Sequence, residues 1–156
     1  MSVLSPLYRD TVTLFNRFVD DSGNISWIPT VLNGTHFVVS KSVLVATYGE
    51  NSSDSAMLNV PYQLINGKVM IGRKKYLPPK QYSKLDIDSA MKSITFTAGL
   101  DFDFIFGDIW PQSSPIADAD YKTGFFQYMK TNFEDVYAIT DTPKYNVIKK
   151  FAIVAR

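Results

Sequence analysis

Short stretches in which apolar and polar residues alternate run along most of the chain, and each predicts a β-strand. Residues 11–18 and 25–28 are rich in β-branched and aromatic side chains, and they enclose an acidic, glycine-containing segment at 20–24. This arrangement predicts a β-hairpin. A second hairpin is predicted at Asn66-Gly67, because both residues tolerate the positive φ angles of a type I′ turn.

The remaining predicted strands are short and bounded by turn residues; they cover 36–39, 56–62, 63–65, 69–71, 92–97, 136–140 and 145–155. Pro29 predicts that the strand at 25–28 ends there or lies at a sheet edge. Residues 41–48 fit either a buried strand or a helical turn, and the composition of 49–54 predicts a loop.

One segment follows a helical period instead. Aromatic or apolar side chains recur at Tyr121, Phe125, Tyr128 or Met129, and Phe133. This stripe predicts one α-helix near residues 119–133. Asp118 or Asp120 is expected to cap the start of the helix, where a carboxylate also suits the helix dipole.

About eight short strands with turn signals between them, and only one helix, predict a mainly β fold. The expected architecture is a small antiparallel β-barrel or sandwich with the helix near residues 119–133 added to it. No linker, repeat or low-complexity run divides the sequence, so residues 1–156 are expected to form a single β domain.

The amino-acid composition excludes several classes of function. The chain has 156 residues, of which 46% are apolar and 20% charged, and it has no cysteine. Disulfides, thiolate metal sites and cysteine nucleophiles are therefore excluded. The net charge of +1 provides no strong overall attraction to nucleic acid or acidic lipid. Without a membrane-length apolar run or a signal peptide pattern, we expect synthesis in the cytoplasm and no membrane association.

The charges are unevenly distributed despite their balance. Residues 55–85 contain no acid but several cations, namely Lys68, Arg73, Lys74, Lys75, Lys80 and Lys84. Residues 86–120 contain seven acids and one base, Lys92. Three explanations stay open: the two blocks neutralise each other within one fold, they face each other between copies in head-to-tail assembly, or Arg73-Lys74-Lys75-Tyr76 contacts nucleic-acid phosphates.

Aromatic residues make up 14% of the chain, and in so short a chain not all of these rings need to lie inside. We expect that Phe102, Phe104, Phe106 and Trp110 are not all buried within one subunit. The alternation at 101–104 predicts two carboxylates, Asp101 and Asp103, on one face and two rings on the other.

Candidates for catalysis are weak. His36 is the only histidine and is expected to be structural, because no motif of a triad or zinc site accompanies it. The acids at 101, 103, 108, 118 and 120 could suit a hard cation or a glycosidase pair, but a solvated edge is the favoured interpretation. We therefore predict no catalytic residue, no metal and no cofactor, and a protein that is not an enzyme.

Several segments carry a resemblance to known proteins: Leu7–Asn16, Trp27–Gly34, Tyr76–Lys80, Phe96–Phe104 and Tyr137–Thr140. In these the chain resembles a family of structural proteins from tailed phages and prophages of Gram-positive bacteria. It is also similar to the minor capsid or head-closure (stopper) proteins of siphophage necks, which begin and end with comparable strands. Relative to these, residues of roughly 99–134 are extra and are expected to form an insertion carrying loops and the helix.

The resemblance implies a virion protein that assembles as a homo-oligomeric ring, hexameric or dodecameric, between a portal or adaptor and the tail-side neck proteins. Such a ring would lie close to packaged DNA without binding a specific sequence. The residues expected at subunit interfaces are Arg73, Lys74, Lys75, Asp101, Phe102, Asp103, Phe104, Phe106 and Trp110. The alternative is a carbohydrate- or receptor-binding β module of a phage tail, using Trp110, Tyr121 and nearby aspartates.

Overall fold

The structure, a computed structural model, describes residues 8–40 and 54–156. The predictions for 41–48 and for most of the loop at 49–54 lie outside the described residues. The strands, in chain order, are β1 (Asp10–Val19), β2 (Ile25–Ser40), β3 (Ser55–Pro61), β4 (Gln63–Ile65), β5 (Lys68–Ile71), β6 (Lys74–Tyr76), β7 (Ser93–Ile94), β8 (Phe104–Phe106), β9 (Ile116–Ala117), β10 (Val136–Asp141), β11 (Lys144–Tyr145) and β12 (Lys150–Ala155).

The helical elements are short. They are α1 (Pro79–Tyr82), α2 (Ile87–Met91) and α3 (Phe125–Asn132), with a 3₁₀ turn at Asp118–Asp120. In the part of the chain that the structure describes, none of these helices has the length and apolar character needed to cross a membrane.

Six strands close into an antiparallel barrel in the order β1, β8, β10, β12, β3 and β2, and β2 returns to pair with β1. Closure depends on the length of β2: residues from Ile25 to Leu32 pair with β1, and residues from His36 to Ser40 pair with β3. Closing the sheet leaves the barrel without a free edge. The predicted antiparallel β-barrel is confirmed.

The hairpin predicted at 11–28 is confirmed, with Val19 opposite Ile25 across the turn. Of the two alternatives for Pro29, a strand end is wrong, because β2 continues through Pro29 opposite Phe15, and a position at a sheet edge holds locally. Proline is tolerated at this point for a physical reason. On the side of β2 away from β1, β9 pairs only with Ser26 and Trp27, so no described strand on that side needs an N–H from Pro29.

Alternate residues of the barrel wall enter two different cores. Leu14 and Ile105 face the barrel interior, with Leu58, Ile139 and Ile153 among the residues there. Phe15 and Phe104 face outwards and are covered by Phe125 and Met129 of α3, with Trp27 beside them. The helix therefore packs on the outside of the barrel.

Part of the segment expected to be an insertion belongs to the barrel itself. The strand β8 lies between β1 and β10, where Ile105 is opposite both Leu14 and Tyr137. By contrast β9, the 3₁₀ turn and α3 are additions outside the six barrel strands. Residues 99–134 thus contribute one wall strand together with the outer layer.

A second sheet has the order β4, β5, β6 and β7, with β7 parallel to β6. Its β4–β5 hairpin is the predicted one, since Asn66 and Gly67 have φ angles of 54° and 78°. The strand predicted at 92–97 is wrong beyond Ile94. Thr97 there bonds instead to the chain at Asp103, through its own N–H to the carboxylate and its carbonyl to the Asp103 N–H.

Two other element predictions need correction. The single strand expected at 145–155 is divided into β11 and β12 by a turn, so Val147 is 97% exposed instead of sharing a buried face. The helix is also shorter than predicted, because Gly124, with a φ of 91°, interrupts the helical backbone just before Phe125.

Candidate functional site

A cleft of about 760 Å³ lies between β2, the β5–β6 turn and the loop at 110–113; we call it the basic cleft. Apolar side chains form much of its wall: Pro29, Val31, Pro61, Ile71 and Met91. The charged residues that line it are Arg73 and Lys74, and none of the lining residues is acidic. The cleft therefore combines an apolar surface with two cations.

Lys74 is held in the cleft by local geometry. The β5–β6 pairing places it opposite Ile71, and Gly72 provides the positive φ of the tight turn between them, at 60°. The Lys74 ammonium donates a 2.7 Å hydrogen bond to the hydroxyl of Thr30 on β2. Burial lowers the pKa of Lys74. Within the described ranges 8–40 and 54–156, no carboxylate lies within ion-pair distance of it.

Trp110 lines the same cleft from the other side. Its backbone N–H donates to the Thr13 hydroxyl at 2.9 Å, and that hydroxyl donates to the Asp108 carbonyl at 2.8 Å, which ties the loop to β1. The indole ring makes edge contacts with Phe15 and Phe125, both at 5.6 Å between centroids. The indole Nε1 is buried and has no acceptor among the described residues.

The structure thus brings together three of the predicted interface residues: Arg73, Lys74 and Trp110. Lys75, the third residue of the basic run, is exposed and does not line the cleft. It lies opposite Met70 on β5 and Ser93 on β7. Alternation along β6 is the reason, since neighbouring residues of a strand point to opposite faces.

Asp103 was expected to share a solvated edge with Asp101. It is buried instead, with 1% of the residue exposed. Its carboxylate accepts hydrogen bonds from the backbone N–H of Arg17 at 2.7 Å, from the Asn16 amide at 2.9 Å and from the Thr97 N–H at 2.9 Å. Burial raises the pKa of Asp103 to about 7, and these three donors oppose the rise. The residue joins barrel segments and offers no interface surface.

Asp101 lies at the surface, with 75% of its side chain exposed and a 3.4 Å ion pair to Arg17. It borders a second cleft of about 340 Å³ that also involves Tyr82 and Lys80. Burial, together with the Asp103 charge, raises the pKa of Tyr82. Asp101 and Asp103 therefore do not share a face, because the backbone turns at Leu100 and Asp101 before β8 begins.

The three phenylalanines have separate locations. Phe104 is stacked on Phe15 with 4.7 Å between ring centroids, and Phe106 is buried in the same outer core. The prediction that Phe104 and Phe106 lie at a subunit interface is therefore wrong, because both rings are buried within the folded subunit. Phe102 is half-buried against Phe126, 4.8 Å away, and Trp110 is also half-buried, so these four rings are not all fully enclosed.

His36 has a structural setting, with its Nδ1 3.3 Å from the side-chain nitrogen of Asn59 on β3. The five acids weighed as a cation or glycosidase site do not converge. Within the described ranges, no group of three or more His, Cys, Asp or Glu side chains is placed to hold a metal ion.

Apolar residues at loop tips are the feature that sequence patterns missed. Leu100 is 99% exposed, Val147 97%, Ile148 68% and Ile109 57%. For Leu100 a signal was present, since it follows Gly99 and precedes an acid in a turn-like context. For Val147 the alternation at 145–155 predicted a buried face of a strand, so the sequence did not indicate its exposure.

Comparison with known proteins gives a family but no described activity. No curated protein and no solved structure matches the chain. A family model described as a family of unknown function (DUF6751) matches residues 7–150. Because this match spans nearly all of the 156 residues, the chain belongs to the DUF6751 family.

Proposed function

We propose that this protein is a structural component of a phage virion, a head–tail connector or head-closure protein that works by assembling into a ring and catalyses no reaction. The observation that carries the proposal is the exposure of large apolar side chains at the tips of separate loops. Leu100 and Val147 have almost no contact with the rest of the subunit.

Such tips are unfavourable on a free subunit, since an aliphatic side chain gains about 1.5–3 kcal/mol when it is fully buried. Scattered single apolar residues are normal at protein surfaces, but two almost fully exposed tips, with Ile148 next to one of them, suit contacts between subunits. A closed barrel is also a stiff support for such loops, because none of its six wall strands is a free edge.

The charge distribution supports the same proposal. Among the described residues, none of the six cations in 55–85 forms an ion pair with an acid of 86–120. The first of the three explanations, that the two blocks neutralise each other within one fold, is therefore not supported by an ion pair between them in the described residues. Contacts between unlike surfaces of neighbouring copies generate rings when the rotation closes, and opposite charges favour such contacts.

In this role the head-side neighbour would be a portal or adaptor protein and the tail-side neighbour another neck protein. The ring would be part of the virion, with six or twelve subunits following from the resemblance described above. Packaged DNA would pass near it without sequence-specific contacts.

The proposal is tested with the double variant Val147→Ser/Ile148→Ser, introduced into the phage or prophage that encodes the chain. We expect unchanged urea unfolding, because both side chains are largely exposed, but loss of the protein from purified virions and of rings in electron micrographs. Gln127→Ser, at an exposed polar position of α3, is the matched control and should assemble normally. Normal assembly of the double variant, or an intact protein that is never found in virions, would contradict the proposal.

The alternative, a carbohydrate- or receptor-binding module, has less support. It requires accessible ring faces at Trp110 and Tyr121. Trp110 is in contact with Phe15 and Phe125, and Tyr121 lies 5.0 Å from Phe125 and 4.6 Å from Tyr128. These contacts take up part of the aromatic surface that a sugar would need.

A further inference from the structure

We infer that the basic cleft is the docking site for the loop tip Gly99–Leu100–Asp101 of a second copy of this chain, with Leu100 on its apolar wall and the Asp101 carboxylate at Lys74 and Arg73. The inference rests on the proposed ring assembly and names the contact that would build it.

The cleft itself specifies the chemistry of its occupant. A half-buried ammonium is costly unless an anion accompanies it, and Lys74 has only the neutral Thr30 hydroxyl as a partner among the described residues. The surrounding wall is apolar, with Val31, Pro61 and Ile71. A matching occupant therefore presents a carboxylate directly beside an aliphatic side chain.

Few segments of the described chain have that pair at the surface. Leu100–Asp101 does, with a leucine that is 99% exposed and a carboxylate whose only ion pair within residues 8–40 and 54–156 is the 3.4 Å contact with Arg17. An ion pair with an exposed carboxylate contributes little to stability, so Asp101 can exchange Arg17 for a new partner readily.

Three other pairs fit less well. Ile87, next to Asp88, is only 37% exposed and lies on α2, whose Met91 lines the basic cleft itself. Asp20, next to the exposed Val19, already accepts hydrogen bonds from the Ser22 and Asn24 N–H groups within its own turn. Asp108 and Ile109 directly precede Trp110, so they belong to the loop that forms one wall of the basic cleft. A head-to-tail contact needs a tip on a different surface from the cleft that receives it.

The Leu100–Asp101 tip meets that requirement. Asp101 borders the second cleft with Arg17 and Tyr82, and the two clefts have no lining residue in common. One copy can therefore offer its tip while its own basic cleft receives the tip of the next. Such a contact leads to a ring or a filament instead of a closed pair.

The natural absence of cysteine allows a direct test by cross-linking the full-length protein. The Gln112→Cys variant, with its thiol at the exposed side of the basic cleft, is mixed with Leu100→Cys under mild oxidation. We expect a disulfide-linked heterodimer to form at least about tenfold faster than with the control partner Val147→Cys, because docking raises the local thiol concentration. Leu100 and Val147 are almost equally exposed, so accessibility does not distinguish the two partners.

A charge exchange provides the second arm. Lys74→Glu in the copy that carries Gln112→Cys, or Asp101→Lys in the copy that carries Leu100→Cys, should each remove the rate advantage, and the two together should restore it. Urea unfolding of every variant checks that it folds. Restoration by the double exchange is a result that general destabilisation cannot produce.

The outcomes separate the docking inference from ring assembly. Rings that form while both cysteine pairs cross-link at the same rate would overturn the docking inference and leave the proposed function standing. Neither rings nor preferential cross-linking would overturn both. If a maleimide cannot reach the Gln112→Cys thiol in the monomer, the same chain fills the cleft. If adding duplex DNA abolishes cross-linking, the cleft binds phosphate. Either result would overturn the docking inference.

Discussion

The backbone N–H of Arg17 donates a 2.7 Å hydrogen bond to the carboxylate of Asp103, a residue 86 positions further along the chain. This bond joins β1 to the segment that leads into β8, inside a wall where the carboxylate is almost completely shielded from water. The Thr97 N–H and the Asn16 amide complete its set of donors. A single buried acid therefore joins β1 to the segment from Thr97 to Asp103, which is distant from β1 in sequence.

Replacing that acid should weaken the fold strongly. Asp103→Ala would leave buried donors of Arg17, Asn16 and Thr97 without an acceptor, and we expect the free energy of unfolding to fall by roughly 3–5 kcal/mol. Urea unfolding measures the loss. Asp101→Ala, two residues away but exposed, should change it by no more than about 0.5–1 kcal/mol. Similar losses in the two variants would contradict this role of Asp103.

Asp103 should also make stability depend on pH. Its folded-state pKa is raised to about 7 from an ordinary value of 3.8. The folded state therefore binds this proton more tightly, and the contribution to stability is complete below pH 3.8 and is lost as the pH rises to about 7.

The comparison with Asp103→Asn isolates this effect. Asp20 and Asp86 have lowered pKa values, because backbone N–H groups bond to their carboxylates, so their stabilisation is instead lost in acid. We expect the difference in unfolding free energy between the wild type and Asp103→Asn to fall between about pH 4 and pH 7 and to be flat above that range. A difference independent of pH would show that Asp103 ionises normally.

The carboxylate of Asp118 anchors the outer helix. Its Oδ1 accepts hydrogen bonds from the Trp27 indole N–H and from the backbone N–H of Phe125, both at 2.9 Å. Asp118→Ala should therefore lower the free energy of unfolding by about 2 kcal/mol, since it removes a helix cap and leaves an indole donor unpaired. Asp120→Ala, in the same 3₁₀ turn but exposed, is the matched control and should be nearly neutral. Urea unfolding followed by tryptophan fluorescence measures both.

Lys74 and Lys75 should differ in assembly. Lys74→Gln removes the charge that lines the basic cleft, so we expect weaker ring formation and a smaller loss of rings when salt is added. Lys75→Gln removes an equal charge outside the cleft and should leave assembly close to normal. Native mass spectrometry over a range of salt concentrations makes the comparison. Equal effects of the two variants would indicate that only the overall charge matters.

Sequence patterns predicted the features that depend on neighbouring residues. The hairpin turn at Asn66-Gly67 follows from positive φ angles that these two residues accept readily. The helical stripe of Phe125 and Met129 follows from spacing alone, and both side chains are buried as that spacing requires. Of the two acids predicted to cap the helix, Asp118 and Asp120, Asp118 accepts the Phe125 N–H, although it lies seven positions upstream.

Predictions failed where burial depends on distant partners. Asp103 was expected on a solvated edge because it alternates with two rings in a segment of loop-like composition, and nothing nearby in the sequence indicates the donors from Asn16 and Arg17. The strand predicted at 92–97 ends early for a different reason: Thr97 bonds to Asp103, six positions further on, instead of continuing the sheet.

The sequence by itself determined a mainly β chain, its hairpins, the aromatic helix and a run of cations, because turn preference, periodicity and charge are properties of adjacent residues. Only the tertiary structure decided that the chain closes into a barrel, that Asp103 lies within its wall, and that Trp110 lines one cleft with Arg73 and Lys74. Each of these depends on which strands pair across long separations. Pairing of that kind is set by the balance of burial and hydrogen bonding over the whole molecule, which no local pattern contains.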